Sequence, residues 1–343
     1  MILTGAKRRR FRREWSHART LTTDWRVWVN VQIAIVGTGA LGTLFGGLLA
    51  RTDHEVWLLH HRESYVRTLQ ENGVRIESPF LPDSPIEVTV PATTDASEVE
   101  HVDLALVLVK APHTRTALTD HAACIGPETH VLTLQNGLGC YETVREVVGT
   151  DRALGGVTYQ GARVDDPGTV EHTNAGETVF GGADEQAARV IGDVLVAGGI
   201  DPVEVVTDPR EPIWEKQLVG VAIKPVAALT RLGNAEVAAR DDLVRVMRQL
   251  MTEAATVARA EGVDVTADDH FEVFRDLIAA GDHRSSMLQD VLAERPTEID
   301  AVNGAVVELA DEHGIAVPYN RLVTALVESL EASYRDRDPD EPG

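Results

Sequence analysis

The chain contains the run Val31-Gln32-Ile33-Ala34-Ile35-Val36-Gly37-Thr38-Gly39-Ala40-Leu41-Gly42. Its first six residues are almost all apolar, which predicts a buried strand. Residues 37–42 then form the pattern G-x-G-x-x-G, and apolar residues recur at helical spacing over 41–49. A glycine loop between a strand and a helix is the context in which this pattern is typical of dinucleotide binding.

Each glycine of the loop has a physical role in that interpretation. Gly37 permits the tight turn, Gly39 lets the backbone approach a pyrophosphate, and Gly42 allows close packing of the helix. The N-terminus of the helix then faces the phosphates. The alternative is a glycine turn with no ligand. The candidate cofactor-binding residues of the loop are Gly37, Thr38, Gly39, Ala40, Leu41 and Gly42.

Further strands and helices alternate along the first half of the chain. Apolar runs at 55–59, 104–109 and 131–134 predict buried strands, and segment 150–205 predicts an extension of the sheet. Strands alternating with helices indicate a parallel, doubly wound sheet. After about residue 208 the pattern becomes helical, and Pro225 is expected to bend the first helix. These helices are predicted at 214–232, 243–262, 268–280, 287–293, 298–314 and 320–334.

The sequence therefore predicts an α/β protein with an N-terminal Rossmann-like doubly wound parallel sheet and a C-terminal all-helical domain. We place the dinucleotide-binding domain at 31–207 and the helical substrate domain at 208–334, with a polar tail at 335–343. Residues 1–30 carry a basic run at 7–13. A twin-arginine signal would need an apolar region after it, and none follows. We expect a disordered extension or one due to an early start codon; a nucleic-acid-binding arm is the alternative.

Composition excludes several classes of protein. The net charge is −22, from 54 acidic and 32 basic residues, which argues against a nucleic-acid partner because phosphates would be repelled. The apolar runs fall short of the ~20 residues that a membrane span needs. Only four residues are lysine, and this acid-rich, lysine-poor composition favours a halophilic, salt-adapted protein over a mere acidic bias of a high-GC genome.

The cysteines and histidines give no sign of a metal centre. Cys124 and Cys140 match no redox or metal motif, which favours a reduced cytoplasmic setting. The histidines form no cluster with ligand spacing, so no metal is expected. The sequence leaves the oligomeric state open, with a homodimer as one option.

Residues at the ends of the predicted strands favour NADP over NAD. An acid after the second strand would bind the ribose hydroxyls of NAD. The chain has His60-His61-Arg62 there instead, which suits a 2′-phosphate, although Glu63 follows. Lys110 ends a strand whose carboxyl end faces the ligand crevice, and Asn136 follows the next strand in the same way.

Several motifs in this order make the chain resemble the ketopantoate reductase (2-dehydropantoate 2-reductase) family from about residue 31 to 334. Members reduce ketopantoate to pantoate with NADPH, on the way to pantothenate and coenzyme A. Besides the glycine loop, the resemblance is carried by Val109-Lys110-Ala111, Gln135-Asn136-Gly137-Leu138-Gly139, Trp214-Glu215-Lys216, Ser285-Ser286-Met287-Leu288-Gln289-Asp290, Thr297-Glu298-Ile299-Asp300, Asn303-Gly304 and Gly314-Ile315-Ala316-Val317-Pro318-Tyr319-Asn320.

The resemblance implies a role for individual residues. The catalytic lysine of the family falls on Lys216, its carboxylate partner on Glu298, its substrate-binding serine on Ser286 and its crevice asparagine on Asn136. Lys110 matches the lysine near the 2′-phosphate. The arginine of the family at the second strand falls on His61, with Arg62 one place later.

Three asparagines that line the substrate pocket in the family are absent, which leaves the 2-keto acid open. Their positions hold Gly220, Lys224 and His283. Lys216 and Lys224 share one helix face, so Lys224 could bind the carboxylate of the substrate. Lys216 is the expected proton donor, and a neighbouring cation would lower its pKa. The alternatives are a reductase of another branched 2-keto acid and, with less support, a non-catalytic NADP-binding regulator.

The acidic excess predicts that salt stabilises the fold. Like charges repel each other in the folded chain, and salt shortens the range of that repulsion to roughly 3 Å at 1 M. The melting temperature should therefore rise between low and molar KCl, as followed by circular dichroism. A melting temperature that falls over this range would contradict the expectation.

Overall fold

The computed structural model describes residues 30–279 and 284–335. All but the last residue of the predicted N-terminal extension lies outside the described residues, and so does His283. The predicted tail also lies outside them, except that Arg335 ends the last helix instead of beginning the tail.

The first half of the described chain is built on an eight-stranded sheet. The parallel core of this sheet joins β1, β2, β5, β6, β7 and β8, and β11 and β12 continue it at one edge. The strands are β1 (Gln32–Val36), β2 (Glu55–Leu59), β5 (Ala92–Thr93), β6 (Leu104–Val107), β7 (His130–Thr133), β8 (Ala153–Thr158), β11 (Thr178–Gly182) and β12 (Val203–Val206). The doubly wound fold predicted from the alternating pattern is confirmed.

The order of the strands places a topological switch point beside the glycine loop. The sheet runs β12-β11-β8-β7-β6-β1-β2-β5, so the chain leaves β1 in one direction and returns to β6 on its other side. Strand β11 is antiparallel to β8, and all the pairs from β5 to β8 are parallel. Ligands of doubly wound sheets bind where the strand order reverses, at the carboxyl ends of the strands.

A second, four-stranded sheet corrects the expectation for segment 150–205. Its order is β4-β3-β10-β9, so part of the segment leaves the main sheet instead of extending it. Pairing of β10 with the distant β3 is a long-range contact that local patterning does not show. The strands are β3 (Val74–Glu77), β4 (Ile86–Val88), β9 (Gly161–Asp166) and β10 (Thr169–Asn174).

Helices cover the main sheet. The first helix contacts strands of both sheets, and its apolar side chains share a core with them. The helices of this half are α1 (Ala40–Leu49), α2 (Glu63–Asn72), α3 (Thr114–Asp120), α4 (Cys140–Val148) and α5 (Glu185–Ala197).

The second half is helical, as predicted, and has a core of its own. Its long first helix packs against most of the others and also contacts β8 of the sheet. The helices are α6 (Arg210–Thr230), α7 (Asn234–Ala238), α8 (Asp241–Ala260), α9 (Ala267–Ala279), α10 (Ser286–Leu292), α11 (Ala305–His313) and α12 (Pro318–Arg335). Among the described residues, no helix is both long and apolar enough to cross a membrane.

Helix α6 continues through Pro225 because another side chain replaces the missing hydrogen bond. Proline has no N–H, so the carbonyl of Val221, four residues earlier, loses its helical donor. The buried Asn303 side chain donates from Nδ2 to that carbonyl oxygen at 3.1 Å and to Asn320 Oδ1 at 3.0 Å. This satisfies the freed carbonyl inside the helical domain.

Asn303 belongs to a π-helical segment inside the helix predicted over 298–314, which the structure has as an unbroken run over 299–313. The segment Asp300–Gly304 is π-helical, and α11 starts only at Ala305. Gln217 Nε2 of α6 donates to the Val302 carbonyl oxygen at 2.7 Å. The widened turn is therefore held against α6 by two amide side chains, and such turns are frequent at functional sites.

The Asn303 amide should matter most when Pro225 is present. Asn303→Ala leaves the Val221 carbonyl buried without a donor, which costs about 1–3 kcal/mol of the free energy of unfolding. Pro225→Ala restores an N–H four residues after Val221, so the same Asn303→Ala change should cost less in that background. Denaturant unfolding of the four proteins in this cycle measures the coupling. An equal cost in both backgrounds would contradict this account of the helix.

Candidate active site

The glycine loop leaves an open surface at the end of β1. Gly37 has φ +97° and donates its N–H to the Leu59 carbonyl oxygen at 3.1 Å. A Cβ at Gly42 would fall on the carbonyl oxygen of Gly37, so helix α1 can approach the turn only with glycine there. A Cβ at the exposed Gly39 would meet no atom within 4 Å. The tight turn at Gly37 and the close helix packing at Gly42 match the expectation from the sequence. The open surface at Gly39 leaves room for a ligand beside the backbone.

The start of helix α1 suits an anionic group. Gly39 is its N-cap, and no side chain caps the helix. The first backbone N–H groups are therefore available, which is how helix N-termini bind phosphate. Of the other loop residues, Ala40 and Leu41 are half-buried and Thr38 is fully buried.

Basic residues flank the glycine loop on both sides. His61 and Arg62 follow β2 and are exposed, and Arg62 Nε donates to His61 Nε2 at 3.2 Å. The His60 ring stacks on His61 at 4.6 Å between centroids and on Tyr65 at 4.3 Å. Burial and the two neighbouring basic side chains lower the pKa of His60 to about 4, so it stacks as a neutral ring.

Lys110 lies on the other side of the loop. It follows β6, the strand next to β1, and its side chain is exposed. Gln135, a motif residue for which no site role was predicted, holds the ends of β6 and β7 together. Its Nε2 donates to the Val109 carbonyl oxygen at 2.7 Å, and its Oε1 accepts from Thr133 Oγ1 at 2.8 Å. Gln135 thus positions the neighbours of both Lys110 and Asn136.

The loop of Asn136 connects the two domains. Gly137 has φ +99°, and a Cβ on it would lie 2.7 Å from the carbonyl oxygen of Ala301. The N–H of Leu138 donates to that same oxygen at 3.2 Å. Asn136 is half-buried beside this contact. The end of β7 therefore lies directly against the π-helical segment, close in sequence to Glu298.

Lys216 reaches from the helical domain to the sheet. Its Nζ donates to the Thr158 carbonyl oxygen at the end of β8, at 2.7 Å. The same nitrogen lies 5.2 Å from the ring centroid of Tyr159. Sequence reasoning missed both partners, although their position at the carboxyl end of a strand was a usable signal.

Two lysines and two acids form one electrostatic cluster. Burial and the charge of Lys224 lower the pKa of Lys216 from 10.5 to about 7, and Glu298 acts in the opposite direction. Burial also lowers the pKa of Lys224, against the raising effects of Glu298 and Asp290. Lys216 therefore exchanges its proton near neutral pH, as a general acid should.

Glu298 and Ser286 each lie at the start of a helix, and in both cases the preceding residue makes the capping hydrogen bond. Thr297 Oγ1 accepts from the N–H of Ile299 at 3.1 Å, so Glu298 lies in a capped bend before the π-helical turn. Ser285 Oγ accepts from the N–H of Leu288 at 3.2 Å and caps α10. The exposed Ser286 is not needed for that cap, and it lies four residues before Asp290 on the same helix.

Family models match both halves of the chain. The model described as ketopantoate reductase PanE/ApbA covers residues 33–185, and its C-terminal counterpart covers residues 208–331. A 2-dehydropantoate 2-reductase of Halobacterium salinarum is 36% identical over 87% of this chain and 98% of its own length. One of Pyrococcus abyssi is 32% identical over 88% and 98%.

Solved structures agree with this assignment. A PanE/ApbA family ketopantoate reductase from Ralstonia eutropha is 32% identical, with a TM-score of 0.79, and the match covers 89% of this chain and 99% of that one. A D-mandelate dehydrogenase with NADH and anilino(oxo)acetate is 27% identical, with a TM-score of 0.81 and the same coverage. The doubly wound sheet, the helical half and the matched motifs together place this chain in the ketopantoate reductase family.

Proposed function

We propose that this protein reduces 2-dehydropantoate to pantoate with NADPH. The observation that carries the proposal is Lys216, which extends from the helical domain to the carboxyl end of β8 while interacting with Lys224 and Glu298. A proton donor at that edge of the sheet faces the side where doubly wound folds bind their ligands. We further propose domain bounds of 31–207 and 208–334.

Each residue of the cluster has a part in ketone reduction. When bound, NADPH supplies the hydride. Lys216 donates a proton to the carbonyl oxygen as negative charge develops there. Lys224 binds the carboxylate of the substrate, and Glu298 accepts a hydrogen bond from its hydroxyl or orients Lys216. Asn136 and Ser286 complete the substrate contacts at the end of β7 and the start of α10.

The 2′-phosphate of the cofactor is the part that the exposed cations would recognise. The open Gly39 backbone and the uncapped α1 suit the pyrophosphate. His61 and Arg62 on one side and Lys110 on the other add positive charge at the strand ends. These cations favour NADPH, although the related D-mandelate dehydrogenase structures contain NADH.

A second candidate is reduction of another branched 2-keto acid. The fold similarity to D-mandelate dehydrogenase with anilino(oxo)acetate favours it, because that ligand carries an oxo group next to a carboxylate. Gly220 and Lys224, in place of asparagines, also alter the pocket. A panel of 2-keto acids with NADPH separates the two candidates.

The setting and assembly of the protein are part of the proposal. Cys124 and Cys140 are both free thiols and both buried, which fits a reducing cytoplasm. We propose a homodimer as the assembly, to be measured by light scattering. The small-molecule partner that we propose is the 2-keto acid substrate.

Changes at the strand ends should separate the two cofactors. Lys110→Ala and Arg62→Ala should raise the Michaelis constant for NADPH much more than that for NADH, because only NADPH carries the 2′-phosphate. Arg67→Ala is a matched control, since Arg67 is an exposed arginine in the middle of α2. Equal effects on both cofactors would contradict the assignment of these residues.

The two lysines should affect different kinetic constants. Lys216→Ala removes the general acid, so turnover should fall ~10²–10⁴-fold while NADPH binding, followed by fluorescence, stays intact. Lys224→Ala should chiefly raise the Michaelis constant for the keto acid, because a carboxylate contact acts in ground and transition states alike. If Lys224→Ala abolishes turnover and Lys216→Ala is mild, the roles are reversed.

The pH dependence should follow the charges around Lys216. Only its protonated form can donate, so kcat/KM for the keto acid should fall as pH rises through about 7. Lys224→Met removes a positive neighbour and should move the inflection to higher pH. Glu298→Gln removes a negative neighbour and should move it to lower pH. Inflections that move the other way, or not at all, would show that another group controls the profile.

A further inference from the structure

Gly220 stands in the middle of α6, where a glycine is costly. The helix runs from Arg210 to Thr230, and Gly220 is buried within it. Glycine in a helix interior is less favourable than alanine by about 0.8–1.0 kcal/mol. A central glycine therefore calls for a compensating reason.

Neither of the usual structural reasons applies to Gly220. Its φ lies outside the positive range that favours glycine. A Cβ built on it would lie 3.7 Å from Val302 Cγ1 and 3.8 Å from Lys224 Cε, which are ordinary van der Waals distances. The folded chain therefore has room for an alanine at this position.

The glycines of the α-helices that pack against the sheets differ in this respect. A Cβ at Gly47 of α1 would lie 2.7 Å from Val74 Cγ1, and one at Gly192 of α5 would lie 3.2 Å from Val205 Cγ2. Packing against the sheets explains why those positions are glycine. It does not explain Gly220.

The space over Gly220 lies within the cluster of the two lysines. Lys216 and Lys224 are four residues before and after it, so the three positions share one face of the helix. The three atoms nearest to a Cβ built on Gly220 are all carbons, namely a Val302 methyl group and the Cδ and Cε atoms of Lys224. The space thus offers apolar contact between two ammonium groups, which matches a short branched carbon skeleton with an anionic group.

We infer that Gly220 is a specificity-determining residue whose missing side chain leaves room for the branched C3 carbon of the 2-keto acid. The inference rests on the proposed function and names the part of the substrate that this site selects. With Lys224 binding the carboxylate and Lys216 the carbonyl oxygen, the substrate lies along the face of α6 that carries Gly220, and the branched C3, bonded to the carbonyl carbon, is placed beside that face. An added Cβ would occupy the space that a branched substituent needs.

The test compares branched and unbranched substrates. In Gly220→Ala, kcat/KM for 2-dehydropantoate should fall about tenfold or more, as expected for one methyl group too many in an apolar pocket. The value for unbranched 2-oxobutanoate should change little. Gly192→Ala, a helix glycine of the other domain, should leave the ratio of the two substrates unchanged. Equal losses of kcat/KM for both substrates would overturn the inference. They would show that the glycine is needed for the conformation of the Lys224 side chain and not for a branched substrate.

Thermal unfolding without ligands gives a readout independent of activity. Gly220→Ala should melt at the same temperature as the parent or higher, because the space is free and alanine favours the helix. A lower melting temperature would show that packing requires the glycine and would overturn the inference. If the parent protein reduces neither acid with either nicotinamide cofactor, the proposed function is overturned as well. If the parent reduces both acids and the Gly220→Ala variant reduces them equally well, only the inference about Gly220 is overturned.

Discussion

Two ammonium groups on one face of a helix repel each other, and the site is arranged around that repulsion. Coulomb energies grow as the surroundings become less polar, so Lys216 and Lys224 raise the cost of each other's charge. Glu298 and Asp290 offset that cost in part. Burial, together with this repulsion and against the opposing effect of Glu298, leaves Lys216 with a pKa of about 7. A single lysine on this face would hold its proton more tightly and would be a weaker acid.

The balance depends on where Glu298 is held. The π-helical segment that follows it is tied to α6 by Asn303, which donates to the Val221 carbonyl, and by Gln217, which donates to the Val302 carbonyl. Pro225 creates the first of these contacts by withholding a backbone N–H. Pro225 in α6 and the π-helical turn beside it thus together hold Glu298 near Lys216 and Lys224.

Much of this could be predicted from sequence because local patterns carry it. The glycine loop, the first strands and the helical second half follow from periodicity and from glycine chemistry, and they are confirmed. The second sheet was missed because β3 and β10 pair across almost a hundred residues. The π-helical turn was missed because a one-residue widening leaves the apolar period nearly unchanged. The contacts of Lys216 with Thr158 and Tyr159 depend on the packing of the two domains, and those of Gln135 depend on how β6 and β7 lie side by side in the sheet.

The sequence by itself determined the fold class, the loop that suits a dinucleotide and the residue types of the site, because steric and hydrophobic rules act over a few neighbouring residues. Only the tertiary structure decided which charges meet. Burial between the domains and the charge of Lys224 in its own helix lower the pKa of Lys216, and Glu298, more than eighty residues away, acts in the opposite direction. The free space over Gly220 is equally a property of packing, since it depends on how closely Val302 approaches α6.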